Sequence, residues 1–443
     1  MQFIGRKKEL EALERTRLAA ENNASRMTVV TGRRRIGKTT LIRESLRQRE
    51  TLYFFVPVTS ETQLCERFAS EARRKLNIYL PSRLNEFREL FEALMEHAKT
   101  HHFTLVIDEF QNFLSINPAI YGWMQDTWDR LKDSTHLHLI LSGSSYSMMR
   151  RIFEDSHEPL FGRATTKLEV RPFFSSELKE AFSSVSPSFE NEDLLALYTI
   201  TGGVPFYVAD LLDNGAHTLE KMIDWLLNSG SIYKVEGRDL VRLEIGEGSY
   251  RHQAVLSAIA MGATKFAEIE SKSGLGNIAP YLERLENSGF IQRIRPIFSK
   301  PTTKAARWTI GDPFLRFWYR FIAGDEGLLE AGFTEPVKKR ILAEYPTFSG
   351  AMLERWFKEA LMQTGKYRRV GSWWNSASET QGNQWEVDIV AIGLSEKNAF
   401  VAEVKRQRKA FKEKNFLEKV AHLKTTILSG MDVRTGCLTM EDM

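Results

Sequence analysis

Cysteine is almost absent from this 443-residue chain, which holds only Cys65 and Cys437. The two stand far apart, with no Cys-x-x-Cys and no Cys/His ligand spacing, which excludes a disulfide framework and a zinc ribbon and favours a reducing compartment. Long apolar runs are missing as well. The N-terminus turns charged at Arg6-Lys7-Lys8-Glu9 before a signal-peptide core can form, and nowhere do eighteen apolar residues follow one another. We therefore expect a cytoplasmic protein with no membrane span. Glycine and proline, at 28 and 13 residues, are too few for a fibrous or low-complexity chain. Charge of one sign is lacking too: 61 basic against 57 acidic side chains leave +4, so any nucleic-acid surface has to be a local patch. What remains is 42% hydrophobic and 27% charged residues, the composition of a folded globular protein, at a length suited to about three domains.

Apolar runs at 27–31, 52–56, 104–108, 137–142 and 167–170 are short enough to be buried parallel strands, and amphipathic segments separate most of them. This alternation predicts an α/β parallel sheet with helices on both faces and a site at the carboxyl ends of its strands. A mostly helical stretch, 175–228, is broken by Thr201-Gly202-Gly203-Val204-Pro205 and reads as a lid. From 250 to 310, three helical patterns and two short strand-like runs follow the order of a winged helix-turn-helix. The aromatic run Pro313 to Phe321 reads as a buried packing stripe, and a further α/β segment begins near 336. The segments expected are a core at 1–172, a helical lid at 173–245, a winged helix at 246–325 and a C-terminal α/β domain at 326–443.

Between the first strand and a helix lies Gly32-Arg33-Arg34-Arg35-Ile36-Gly37-Lys38-Thr39-Thr40, a full P-loop pattern in the context that separates true cases from chance. Glycines let backbone N–H groups turn onto phosphates and the helix N-terminus favours negative charge. Lys38 reaches the β/γ-phosphates and the Thr39 hydroxyl ligates Mg²⁺. The three arginines read as solvated or ion-paired. The strand Thr104–Asp108 ends in two carboxylates: Asp108 would hold Mg²⁺ through water and Glu109 would orient or activate the attacking water. A further strand, 52–56, lies between the loop and the acidic strand and fits the P-loop class that inserts an extra strand there and uses such a glutamate, which points to ATP hydrolysis rather than to a GTP switch or a kinase. At the end of the fourth strand, Ser142 or Ser144 is either a γ-phosphate sensor or a turn residue. Arg163 is either a source of transition-state charge or a surface arginine.

A second set of carboxylates comes late, in Glu386-Val387-Asp388 and Glu403-Val404-Lys405. Residues two apart on a strand share a face. Gly393 to Asn398 reads as a hairpin loop, and a turn centred between Ser395 and Glu396 sets Asp388 opposite Glu403 and Glu386 opposite Lys405. Opposed carboxylates repel unless something sits between them, and a divalent cation is the natural occupant; a lysine beside it can orient a water and stabilise phosphorane charge. The alternative is an exposed hairpin face with a Glu386–Lys405 ion pair. Glu354, on a helical run, is a candidate third acid. Lys405, Arg406, Arg408, Lys409, Lys412, Lys414, Lys419 and Lys424 concentrate positive charge suited to a phosphate backbone or to a solvated helix face.

Over nearly its whole length the chain resembles the archaeal-type P-loop ATPases of the signal-transduction ATPase (STAND) class. The resemblance is carried by Phe3-Ile4-Gly5-Arg6 with Glu9-Leu10, Gly32 to Thr39, and Asp108-Glu109-Phe110. It extends through Leu160-Phe161-Gly162-Arg163, Gly203-Val204-Pro205 and Asp312-Pro313-Phe314 with Phe317-Trp318. It implies that Gly5, Arg6 and Pro205 contact the adenosine side. The last segment resembles the restriction-endonuclease-like, or PD-(D/E)XK, domain that ends many such proteins, and Asp388, Glu403 and Lys405 match its D…E-x-K metal motif. The expectation is a Mg-ATP-dependent protein whose conformational change controls a nuclease-like, DNA-acting domain. The alternative is a nucleotide-switched regulator that binds DNA or a protein partner without cutting. The third helix of the winged-helix segment carries Glu283 and Glu286, which suit a packing role better than base reading.

Overall fold

The computed structural model describes residues 3–81, 83–303, 305–375 and 385–443, and it divides into two compact units, Gly5–Arg171 and, with residues 3–4 joined to it, Pro172–Met443.

In the first unit, β1 (Arg26–Thr31), β2 (Thr51–Phe55), β3 (Phe103–Asp108), β4 (Leu137–Ser142) and β5 (Thr166–Glu169) form one parallel sheet in the order β2-β3-β4-β1-β5. Every residue of β3 and β4 is buried, as strands covered on both faces require. On one face Leu52 and Phe54 pack toward the helix Glu61–Leu76, where Phe54 stacks on Phe68 at 4.0 Å. In space the strand between β1 and the acidic β3 is β4; β2 lies outermost, although it follows β1 in sequence. The ladder pairs Val30 with Ser142, Ile107 with Leu141 and Phe55 with Asp108, so the P-loop, Asp108 and Ser142 all leave the sheet at one edge.

The second unit opens with the helices Ser175–Val185, Asn191–Thr201, Pro205–Asp213, Leu219–Leu227 and Tyr233–Ile245. The break foreseen at 201–205 is there: Thr201 ends one helix and Pro205 starts the next. Three helices follow, Ser249–Ala260, Phe266–Ser273 and Ala279–Asn287, then the antiparallel β6 (Ile291–Ile294) and β7 (Arg307–Ile310), in the order expected. The aromatic run is the helix Pro313–Phe321, buried along Phe314, Phe317, Trp318, Tyr319 and Phe321, with Trp318 Nε1 donating to the Tyr233 carbonyl at 2.7 Å.

After the helix Thr334–Gln363 come β8 (Tyr367–Trp374), β9 (Glu386–Gly393), β10 (Asn398–Lys405), the helix Glu413–Thr425 and β11 (Asp432–Thr439). They build a sheet of order β11-β10-β9-β8, antiparallel except for the β10–β11 pair, which the helix Glu413–Thr425 connects. The β9–β10 ladder runs from Ile392–Ala399 to Ile389–Ala402, the register expected from the hairpin. The loop after β6 lies along β8: Ile297 N–H donates to the Ser372 carbonyl at 2.8 Å, and Trp374 Nε1 to the Ala305 carbonyl at 3.0 Å. No helix among the described residues is long and apolar enough to cross a membrane.

Candidate active site

The loop between β1 and the helix Lys38–Ser45 is shaped by close approach. Gly32, at φ +148°, lies so near the end of β5 that a Cβ there would stand 2.6 Å from the Val170 carbonyl oxygen. Lys38 is 7% exposed and donates to the carbonyls of Gly32 at 2.8 Å and Arg33 at 3.1 Å. Burial pulls its ammonium pKa down to about 8, against the opposing charges of Glu109 and Asp108. Arg33 and Arg35 are half-buried and Arg34 is exposed, while Ile36 is buried and Thr40 faces out. Arg6 is 5% exposed and reaches the loop backbone, its Nη2 lying 3.5 Å from the Ile36 carbonyl and its Nη1 3.4 Å from Glu9.

Asp108, also buried, gathers three donors. Thr39 Oγ1 lies 3.1 Å from Oδ2, the Glu109 amide 3.1 Å from Oδ1, and the Tyr53 hydroxyl donates to Oδ2. Thr39 and Asp108 are hard oxygen donors that converge, which fits Mg²⁺. Glu109, at φ 55°, turns its carboxylate to Gln111 and Ser144: Gln111 Nε2 and Ser144 Oγ donate to Oε2 at 2.5 and 2.6 Å. Gly143 makes room for this, since a Cβ there would stand 2.4 Å from Gln111 Oε1.

Of the two serines kept open, Ser144 therefore reaches the acidic pair, whereas Ser142 is fully buried in β4 and its Oγ finds no partner among the described residues. Arg163 is not brought to the P-loop. It precedes β5, at the amino edge of the sheet, half-buried, and its guanidinium lies 3.0 Å from Asp129. Gly5 precedes Arg6, while Pro205 opens its helix in the second unit. Tyr53, Gln111 and the contact of Ser144 with Glu109 were not foreseen. Only strand register and the turn after Asp108 bring them in.

In the second unit, Lys405 Nζ lies 2.6 Å from Glu403 and 3.5 Å from Asp388. Asp388 Oδ2 also accepts the Val404 N–H at 2.8 Å. Lys419 Nζ reaches the other oxygen of Glu403 at 2.6 Å. Burial opposes the charge on Glu403, but these two ammonium groups outweigh it and hold its pKa low. Burial raises Asp388, and pushes Glu354 up to about 7, with Lys358 at 3.3 Å opposing and Asp388 reinforcing the shift. One expectation fails: Glu386 does not pair with Lys405. The β9–β10 ladder ends before it, and Arg307 takes its carboxylate at 2.9 Å. The basic run also divides. Lys405 and Lys419 turn onto Glu403, Arg406 onto Glu192, and Lys409, Lys412, Lys414 and Lys424 remain exposed. No group of three or more His, Cys, Asp or Glu poised to hold a metal occurs among the described residues.

Residues 3–211 match the sequence profile of an ATPase domain found predominantly in Archaea. This stretch is similar to that ATPase domain, and its parallel five-stranded sheet has the α/β P-loop fold. Residues 318–417 match a second profile, described as Archaea bacterial proteins of unknown function. The uncharacterized protein MJECL04 of Methanocaldococcus jannaschii is 29% identical over 412 residues, which cover 91% of this chain and 87% of that protein. Among solved structures, the Walker-type ATPase PABY2304 of Pyrococcus abyssi is similar with a TM-score of 0.55 at 20% identity, covering 72% of this chain and 96% of that one. This last likeness is one of fold.

Proposed function

We propose that the chain binds and hydrolyses Mg-ATP, as a member of the STAND class of P-loop ATPases, and that turnover controls the carboxylate–lysine site of the C-terminal sheet. The observation that carries the first half is the convergence of Lys38, Thr39, Asp108 and Glu109 at one edge of the parallel sheet, with Thr39 on Asp108 at 3.1 Å. Bound Mg²⁺ would neutralise charge on the β/γ-phosphate oxygens. Lys38 leaves the loop carbonyls for the phosphates. Glu109 accepts a proton from the attacking water and Ser144 holds its carboxylate in place. Gly5 and Arg6 take the adenosine side. Phosphate release by wild type and its loss in Glu109→Gln test this; equal turnover in the two removes Glu109 as the base.

For the second half, Asp388 and Glu403 supply carboxylate oxygens for Mg²⁺ and Lys405 stabilises charge on a phosphodiester, with DNA as the substrate class. A second reading is a nucleotide-switched regulator that binds DNA or a protein without cutting. It is favoured by Lys405 and Lys419, whose two ammonium groups already neutralise Glu403. Incubation with plasmid and Mg²⁺ or Mn²⁺, with and without ATP, separates them. Cleavage lost in Asp388→Ala supports the nuclease, and tight binding with an intact plasmid supports the regulator.

A further inference from the structure

Of the three donors on Asp108, Tyr53 is the one with no role in the reading above. It arrives there by register. On β2 it lies opposite Val106 of β3, and Asp108, two residues further on, projects from the same face as Val106. A phenol spans that two-residue step of about 6.6 Å. The alternation of β2 separates its side chains: Leu52 and Phe54 are buried toward Phe68, while Tyr53 takes the face of the P-loop helix, its ring 5.6 Å from the Arg43 guanidinium.

The hydroxyl shares Oδ2 of Asp108 with Thr39, the residue whose oxygen would meet the metal. Both donors are neutral, so the carboxylate keeps its full charge for a cation, and the nearby ammonium of Lys38 is engaged by Gly32 and Arg33 instead. An aspartate chooses among staggered χ1 rotamers with a broad χ2, so its carboxylate has a fixed aim only where both oxygens are held; here the Glu109 amide holds Oδ1. When Thr39 turns its oxygen toward a metal, the Tyr53 hydroxyl is the side-chain donor left to hold Oδ2 in line.

We propose that Tyr53 is a positioning residue for Mg-ATP: its hydroxyl fixes the Asp108 carboxylate that receives the hydrated metal of the nucleotide. This rests on the ATP reading above. Tyr53→Phe keeps the ring and removes only the oxygen. Binding of a fluorescent ATP analogue is titrated with Mg²⁺ in wild type, Tyr53→Phe and Asp108→Asn, and repeated in EDTA. In Tyr53→Phe the Mg²⁺ concentration at half-saturation is expected to rise about tenfold, the worth of one hydrogen bond to a charged group. Affinity in EDTA should stay within about twofold, because the carboxylate that the phenol holds then has no nucleotide-bound metal to receive. A Mg²⁺ midpoint equal to wild type overturns the proposal. So does a lowered midpoint, which would make the phenol a competitor of the metal. If wild type binds no nucleotide under either condition, the ATP reading itself fails, and the result is distinct from both.

Discussion

Ser144 donates its hydroxyl to Glu109 at 2.6 Å, and so ties the end of β4 to the carboxylate that closes β3. A strand-end serine and a strand-end acid thus act as one unit, with Gln111 as the second support. Removing the acid's charge while keeping its shape should leave nucleotide binding intact and slow phosphate release by about 10²- to 10⁴-fold, the range for a positioned general base. Single-turnover phosphate release of Glu109→Gln beside equilibrium nucleotide binding measures the two separately.

Ser144→Ala is expected to be milder. It leaves Gln111 on Glu109 and removes one charge-assisted hydrogen bond, worth about 1.5–3 kcal/mol, so kcat should fall about ten- to a hundredfold with little change in nucleotide affinity. Ser142→Ala, which removes a buried hydroxyl that finds no partner among the described residues, should leave kcat near wild type. The comparison of the two kcat values decides which serine serves the site.

Lys38 gives a pH dependence. Burial lowers its pKa to about 8, so the nucleotide-free protein loses this charge as pH rises through that value. Phosphates bind the charged form. Nucleotide affinity should therefore be flat below about pH 8 and weaken above it, approaching tenfold per unit. The stability of the protein without added nucleotide moves the other way: over pH 8 to 10 the unfolded chain binds the extra proton, so stability rises with pH. Isothermal titration and thermal unfolding across pH 7 to 10, with Lys38→Met as reference, check both signs.

Glu354 offers a second titration with the opposite sign. Burial raises its pKa to about 7, so the folded state binds a proton that the unfolded chain releases nearer 4.5. Its stability contribution is full below about pH 4.5 and disappears as pH rises toward 7. Glu354→Gln, which is permanently neutral, should therefore gain stability on wild type as pH rises from 5 to 8. Parallel urea unfolding at the two pH values is the measurement.

Arg406 joins two parts of the second unit. Its guanidinium donates to Glu192 of the helix Asn191–Thr201 and to Ser349 of the helix Thr334–Gln363. Arg406→Ala strands Glu192 and should cost about 1–3 kcal/mol. A double-mutant cycle with Glu192→Ala, read by denaturant unfolding, is expected to show coupling of about 1 kcal/mol or more.

How much of this was legible in the sequence depends on distance along the chain. The P-loop, Asp108 and Glu109 are local patterns, a glycine spacing and an apolar run ending in acids, and they arrive where the pattern says. The β9–β10 register was legible because a short hairpin couples the turn to every pair beyond it. Tyr53 was not, since alternation marks its face but only β2–β3 pairing reveals its neighbour. Nor were Arg307 on Glu386 or Lys419 on Glu403, which are tertiary choices between many equivalent charges. Arg163 shows the converse, a motif residue that the parallel sheet carries to its opposite edge.

The loop after β6 has one further consequence, for how the second unit can be divided. By laying the Ile297 amide on the Ser372 carbonyl it shields part of β8, the outermost strand on that side of the C-terminal sheet. A fragment cut at 326, where the sequence invites a boundary, would lose that cover along with Arg307 and leave backbone donors and acceptors ready to pair with another copy. Such a fragment should aggregate on expression, whereas one beginning near 246 retains its own edge protection.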